Sequence, residues 1–482
     1  MSNATRQPSW SSTIPLWLDG KEVTTTNTYD VVSPRTGQVL YKSSSASIED
    51  AEKAIQSAHK AAESWSATKP GFRQDILLRA AAILEQRKDE LFKLVDEETG
   101  AVEAIFKSDF NISVEACKST GGLASSLRGH VPAVSDEGSS AMIIREPYGT
   151  VLAIAPWNVP YILGFRACLG PLVMGNTVIL KGSESSPGAY WAIASILHEA
   201  GLPAGCLNTI THRPQDAATI TTHLIESPII KKISFTGSTR TGAIIASHAA
   251  KFIKPTVMEL GGKASTIVCD DADINSAALG CALGAFLHSG QICMSTERIL
   301  VQTPVLAKFR DAFKAIAQII FGGPDGLVLV NELSVKKNKQ LVEDAISKGA
   351  KIGFGKLDEI KDKPTFMFPL IIEDVNKDMD IYETESFGPT VSLFHFDSDE
   401  EAIKIANDTI YGLTAAVFTK DLRRGMRIAK KIQAGAVHIN SMSIHDESAL
   451  PHGGFKSSGY GRFNGIEGLE EWVQTKCITW KD

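Results

Sequence analysis

After Pro147 the chain alternates short apolar runs with helical patterns, and this alternation restricts the fold more than any other feature. Runs at 151–155, 177–180, 207–210 and 229–235 each end in a polar or small-residue turn, and 188–200 and 217–224 between them carry helical spacing. Strands joined through helices pair in parallel, so the pattern predicts a wound parallel sheet. A second series follows, with predicted strands at 264–268, 298–301, 390–395 and 415–418 and predicted helices at 274–288, 305–319, 337–348 and 400–407. Two wound α/β lobes accommodate 482 residues more economically than one. Upstream, residues 48–100 read as helical, with Ala51, Ile55, Ala58 and Ala62 recurring on one face and Gly100 as a stop.

Charge argues against nucleic acid or an anionic membrane as partner: 49 Lys and Arg oppose 55 Asp and Glu, and no long basic block occurs. The first residues lack a basic segment followed by an apolar stretch, so no secretory signal is expected. Seven cysteines are odd in number and widely spaced without a C-x-x-C pair, which speaks against a disulfide framework or a metal site and for a reducing cytoplasm. Between Arg145 and Lys181 the charged residues are Glu146 and Arg166 alone, but Pro156, Pro160 and Pro171 break the stretch into strand, loop and helix rather than a membrane span.

Five places can hold chemistry. Residues 235–242, Phe-Thr-Gly-Ser-Thr-Arg-Thr-Gly, turn from a strand into a helix, and Gly237 and Ser238 there suit either a pyrophosphate on free backbone N–H groups or a plain hydroxyl N-cap. Lys181 and Glu184 follow a strand, where a wound sheet places ligand-binding side chains; a carboxylate there accepts ribose hydroxyls and repels a 2′-phosphate, favouring NAD over NADP. Cys293 sits in a Gly-containing loop between an apolar helix and a strand, where a reactive thiol is displayed, whereas the other six cysteines read as small core residues. Glu259 lies among apolar residues before two glycines, and burial is expected to raise its pKa toward that of a general base; a structural salt bridge is the alternative. Asn158 ends a strand, either as an oxyanion donor or as a turn residue.

In this order the motifs closely resemble one family. P-W-N at 156–158, Lys181, F-T-G-S at 235–238, E-L-G-G-K at 259–263, G-Q-x-C at 290–293, E-S-F-G-P at 385–389, N-D-x-x-Y-G-L at 407–413 and G-G-x-K-x-S-G at 453–459 are similar to those of the NAD(P)-dependent aldehyde dehydrogenase superfamily, from about residue 17 to residue 476. The tail at 443–463 resembles the salicylaldehyde and benzaldehyde dehydrogenase branch.

The resemblance implies a dinucleotide-binding lobe over 1–126 and 147–261, a catalytic lobe over 262–465, and a β oligomerisation arm over 127–146 and 466–482 that makes a homodimer, with a tetramer as the alternative. It implies Cys293 as nucleophile, Glu259 as hydrolytic base and Asn158 as oxyanion donor. Trp157, Lys181, Glu184, Gly237, Ser238, Glu385 and Phe387 would hold NAD. Glu471 resembles a carboxylate on the family's proton-exit route. Arg166 resembles the branch's substrate arginine or braces the lobes, and Tyr161, Ile292 and Met294 would wall an aromatic aldehyde; an aliphatic aldehyde or a semialdehyde is the runner-up. A cofactor-free thiol hydrolase and a silent binding protein are the competing classes. Two departures stand out: the connection 321–327 is short, and His452 replaces the usual Phe of P-F-G-G. Neither is expected to touch Cys293 or Glu259.

Overall fold

The computed structural model describes residues 12–358 and 360–481. The expectation about the chain's first residues falls mostly on 1–11, outside the described residues.

The helical stretch divides into Ile48–Ser66, Pro70–Gln86 and Lys88–Thr99. Ser47 and Asp50 form a reciprocal capping box at the first, Pro70 opens the second, and Gly100 at φ 71° ends the third in the left-handed conformation that glycine adopts without strain. These helices pack over the first sheet in a core that includes Trp65, Leu84, Phe106, Phe165 and Trp191.

The two predicted lobes correspond to two sheets. The first runs in the order Gly459–Tyr460, Thr256–Glu259, Ile230–Thr236, Thr150–Ile154, Thr177–Lys181, Leu207–Ile210, Leu16–Leu18, Lys21–Val23, with the five strands from Thr256–Glu259 to Leu207–Ile210 parallel. The middle strands Thr150–Ile154 and Thr177–Lys181 are buried at every position, which is why they read as unbroken apolar runs. The second sheet runs Lys351–Phe354, Leu370–Glu373, Thr390–Phe396, Thr296–Gln302, Ala264–Val268, Thr414–Phe418, Ala436–Ile439, parallel except for its first edge strand.

Several expectations are corrected. Gly459–Tyr460 pairs antiparallel with Thr256–Glu259, so the chain rejoins the first sheet before residue 465. Cys477 is exposed, unlike the buried Cys117, Cys168, Cys206, Cys269 and Cys281, because it lies on the strand Val473–Lys481. That strand pairs with Ser139–Pro147 over its whole length, and the ribbon leaves Met142, Ile478 and Trp480 in part exposed. A further correction, His452, belongs to the site below. The stretch between Arg145 and Lys181 resolves into strand, loop, helix and strand, and among the described residues no helix is long and apolar enough to cross a membrane.

Candidate active site

Parallel strands end on one edge of the first sheet, and the loops there carry polar side chains toward a cavity of about 260 Å³. Trp157 and Asn158 follow Thr150–Ile154, Gly237 and Ser238 follow Ile230–Thr236, and Glu259 closes Thr256–Glu259; all five line the cavity. Cys293 enters from the second lobe, on the loop between the helix Ile274–Phe286 and the strand Thr296–Gln302.

That loop is held in an uncommon backbone. His288, Ser289 and Gly290 all have positive φ (49°, 60° and 74°), a conformation that costs of order 1–3 kcal/mol at each non-glycine position and persists only where its surroundings enforce it. Here Ser289 Oγ donates to the Val328 carbonyl at 2.7 Å, Gln291 Nε2 donates to the His288 carbonyl at 3.1 Å, and Gln291 Oε1 accepts from Val330 N at 2.9 Å. A Cβ on Gly290 would lie 2.1 Å from the Gly388 carbonyl oxygen, so glycine is required. The short connection after Phe321 thus leads into the strand Leu327–Val328 that anchors the nucleophile loop, a nearer role than the sequence suggested.

Sγ of Cys293 donates to Oε1 of Glu259 at 3.1 Å. The same oxygen lies 3.5 Å from Nε2 of His452, and Oε2 lies 3.9 Å from an Arg166 guanidinium nitrogen. His452 therefore touches the carboxylate, contrary to expectation. Its presence also reverses the expected electrostatics. Burial does raise the Glu259 pKa, but the imidazole and the guanidinium together outweigh it and hold the carboxyl well below its usual range. Burial, then the Glu259 charge, pushes the Cys293 thiol well above its ordinary value. The resting pair is a neutral thiol on an ionised carboxylate.

Asn158 is buried, with Nδ2 donating to the Gln291 carbonyl at 3.0 Å; a primary amide has a second hydrogen, and Asn158 borders the cavity. The two glycines after Glu259 allow close approach. A Cβ on Gly261 would stand 2.6 Å from the Glu385 carboxylate and one on Gly262 would stand 2.3 Å from the Cys293 carbonyl oxygen. Glu385 Oε1 accepts from Gly262 N at 2.8 Å, and burial followed by the charge of Glu297 pushes its pKa up to about 7. The loop bearing Glu385 and Phe387 is clamped by a buried ion pair that sequence reasoning missed. Lys263 Nζ contacts Glu297 and donates to the Thr384 carbonyl, while the Glu297 carboxylate accepts from Ser386 N and Phe387 N. The Phe387 ring meets Trp157 edge-on at 6.0 Å.

Beyond Ser238 an apolar trench of about 690 Å³ runs between the helices Ala217–Glu226 and Thr239–Lys251, with Lys181 and Phe235 in its floor. Ser238 Oγ accepts from Thr241 N at 3.3 Å, so it N-caps the helix, and it also borders the cavity. A Cβ on Gly237 would stand 2.6 Å from the Phe235 ring. Lys181 is buried, which lowers its pKa, and the charge of Glu184 acts against that shift; Glu184 is half-buried outside the trench lining.

The remaining expected positions divide. Ile292 and Met294 are buried beside Cys293 in the core that also takes Val159 and Ile444. Arg166 is buried and ion-paired with Asp446 as well as facing Glu259, and it is not among the residues bordering the cavity. Tyr161 is corrected: it is fully buried, its hydroxyl donates to the Leu91 carbonyl at 2.9 Å, and it packs against Phe106 rather than walling the cavity. Glu471 is likewise remote, paired with Lys232 at 2.8 Å.

Residues 19–478 match the model of the aldehyde dehydrogenase family. The chain belongs to the aldehyde dehydrogenase family. It is an oxidoreductase acting on aldehydes. It is 39% identical over 474 residues to a vanillin dehydrogenase of a Pseudomonas species, with 97% of each chain covered. Its fold is similar to that of a salicylaldehyde dehydrogenase from Pseudomonas putida G7 complexed with salicylaldehyde (TM-score 0.94, 34% identity, 98% and 99% of the two chains covered). A betaine aldehyde dehydrogenase from Staphylococcus aureus in complex with NAD+ is also similar (TM-score 0.92, 30% identity, 97% and 94% covered).

Proposed function

We propose that this aldehyde dehydrogenase oxidises an aromatic aldehyde to the free carboxylic acid, with NAD as hydride acceptor and a thioester on Cys293. The observation that carries the reading is the thiol–carboxylate contact of Cys293 and Glu259 at the end of a cavity that leads on to a trench.

The residues fit a dinucleotide: Gly237 packs tightly over the Phe235 ring and borders the cavity, and Ser238 opens a helix whose N-terminus favours phosphate. Trp157, Lys181 and Glu184 would hold the adenosine side, Gly237 and Ser238 the pyrophosphate, Glu385 the second ribose and Phe387 the flank of the nicotinamide. Bound there, the nicotinamide supplies the hydride acceptor. Cys293 adds as thiolate to the aldehyde carbon, passing its proton to Glu259 Oε1. The free hydrogen of the Asn158 amide faces the resulting alkoxide. Once the carbon is oxidised and the thiol proton has left Glu259 for solvent, the carboxylate takes a proton from the water that cleaves the acyl group from sulfur. A thiol serves both halves, attacking well near neutrality and leaving well from a thioester.

An aromatic substrate is supported by the names of the relatives, and Ile292, Met294, Val159 and Ile444 pack in the apolar core that reaches Cys293. Arg166 would bind a ring hydroxyl by a charge-assisted bond. Its pair with Asp446 favours a second reading for this one residue, a brace within the site. Residues 1–126 and 147–261 would form the cofactor lobe and 262–465 most of the catalytic lobe. The ribbon of Ser139–Pro147 and Val473–Lys481, with its exposed apolar residues, would pair subunits into a homodimer in the cytoplasm.

The test is NADH formation over ortho-hydroxybenzaldehyde, benzaldehyde and straight-chain aldehydes, with NAD and NADP in parallel, for wild type and Arg166→Met. Preference for rings with NAD is expected, and faster turnover of straight chains would discard the aromatic pocket. In Arg166→Met the advantage of the ortho-hydroxy ring should fall by about tenfold, the worth of one charge-assisted hydrogen bond. Equal loss on both rings would make Arg166 a brace.

A further inference from the structure

Cleavage of a thioester by water leaves a proton on Glu259, a side chain only 1% exposed, and that proton must reach solvent before the base can act again. Three groups surround the carboxylate: the Cys293 thiol, the Arg166 guanidinium and the His452 imidazole. The thiol is itself a proton source, and a guanidinium keeps its protons at any working pH. Imidazole alone among them both takes and gives a proton near neutrality.

We infer that His452 carries the proton of acyl-enzyme hydrolysis from Glu259 toward solvent, an inference that rests on the roles proposed above for Cys293 and Glu259. The ring is well placed for this. Its backbone is fixed by reciprocal hydrogen bonds with Phe463, each 2.8 Å, and Nε2 sits 3.5 Å from Glu259 Oε1. His438, on the strand Ala436–Ile439, is near enough to interact electrostatically with His452. The His438 ring is 4.9 Å from that of His445, whose Nε2 reaches the partly exposed Glu447 at 2.9 Å. His452, His438 and His445 thus form a cluster of imidazoles whose last member is partly exposed. Glu471, the carboxylate expected on an exit route, is engaged by Lys232 instead.

The electrostatics favour passage over storage. Burial, then the positive charge of Arg166, lowers the proton affinity of His452, with Arg462 acting in the same sense and Glu259 opposing. The imidazole and the guanidinium hold Glu259 below its ordinary range, so a proton taken up by the carboxyl is readily given up. In the step itself, the water oxygen bonds to the thioester carbon, the carbon–sulfur bond breaks, and sulfur leaves as thiolate. One water hydrogen goes to Glu259 and the other remains with the acid. A ring nitrogen of His452 takes the proton from Glu259, and the imidazolium releases one on the solvent side, restoring a neutral ring and an ionised carboxylate.

Two variants separate carrying from holding. His452→Gln keeps an amide donor for Oε1 but cannot carry a proton, and His452→Phe installs the residue usual in the resembled family, which this fold accepts. With benzaldehyde and NAD under rapid mixing, both variants should give a burst of NADH close to the subunit concentration. A steady rate lower than wild type by about tenfold or more should follow, the scale of a lost acid–base group. Added imidazole should restore that rate in proportion to its concentration. A wild-type steady rate in His452→Gln with no response to imidazole would reduce His452 to a holding group and overturn the inference, as would a missing burst. Absence of NADH from the wild-type protein would instead overturn the role of Cys293, and the carrier with it.

Discussion

The thiol of Cys293 and the carboxylate of Glu259 share one hydrogen bond of 3.1 Å, and the charge that orients the thiol also opposes its ionisation. A raised thiol pKa means that the thiolate fraction keeps growing with pH beyond the ordinary range of about 8.5. Alkylation of Cys293 by iodoacetamide, followed by intact mass, should therefore still accelerate above that pH. In Glu259→Gln the negative charge is gone and the rise should move to lower pH; an unchanged profile would show that the carboxylate does not govern the thiol.

Loss of the base should split the two half-reactions. Glu259→Gln is expected to form the thioester and then stall, with a fall in steady-state turnover of about 10²–10⁴. Intact mass after mixing with benzaldehyde and NAD should show the acyl adduct on Cys293. Normal turnover with no adduct would remove Glu259 from the hydrolysis.

The Lys263–Glu297 pair predicts a stability effect joined to a binding effect. Glu297→Gln leaves a buried ammonium without its anion, at a cost of about 3–5 kcal/mol, and frees the loop that carries Glu385 and Phe387. Thermal unfolding should shift down and the KM for NAD should rise. Lys263→Met with Glu297→Leu should be milder than either single change, because no lone charge remains.

Glu184 offers a test of cofactor choice. If its carboxylate near Lys181 meets the adenosine ribose as proposed, it repels a 2′-phosphate, and Glu184→Gln should lower the NAD to NADP ratio of kcat/KM by about tenfold. A ratio that does not move would place the discrimination elsewhere.

Local features were legible in the sequence because they depend on neighbours along the chain. The strand expected at 264–268 coincides with Ala264–Val268, Gly100 ends its helix, and Cys293 sits on the loop its flanking glycine and apolar helix suggested. What was not legible depends on residues brought in from other elements. The pKa direction of Glu259 was misjudged because burial was visible in its apolar neighbours, whereas His452 and Arg166 arrive from distant segments. The resemblance implied Tyr161 as a cavity wall, but the helix Pro160–Val173 turns its ring toward Leu91. Lys263 and Glu297 look like ordinary surface charges until the second sheet sets them beside the 384–387 loop.

The return of Gly459–Tyr460 to the strand that bears Glu259 has a consequence for biosynthesis. Chains fold from the N-terminal side as they leave the ribosome. The strand Thr256–Glu259 gains its last neighbour, and Glu259 its imidazole, only after residues 452–460 have emerged. A nascent chain can therefore hold Cys293 and Glu259 long before the imidazole and the last strand neighbour arrive beside them, and the pair is completed only near the end of translation.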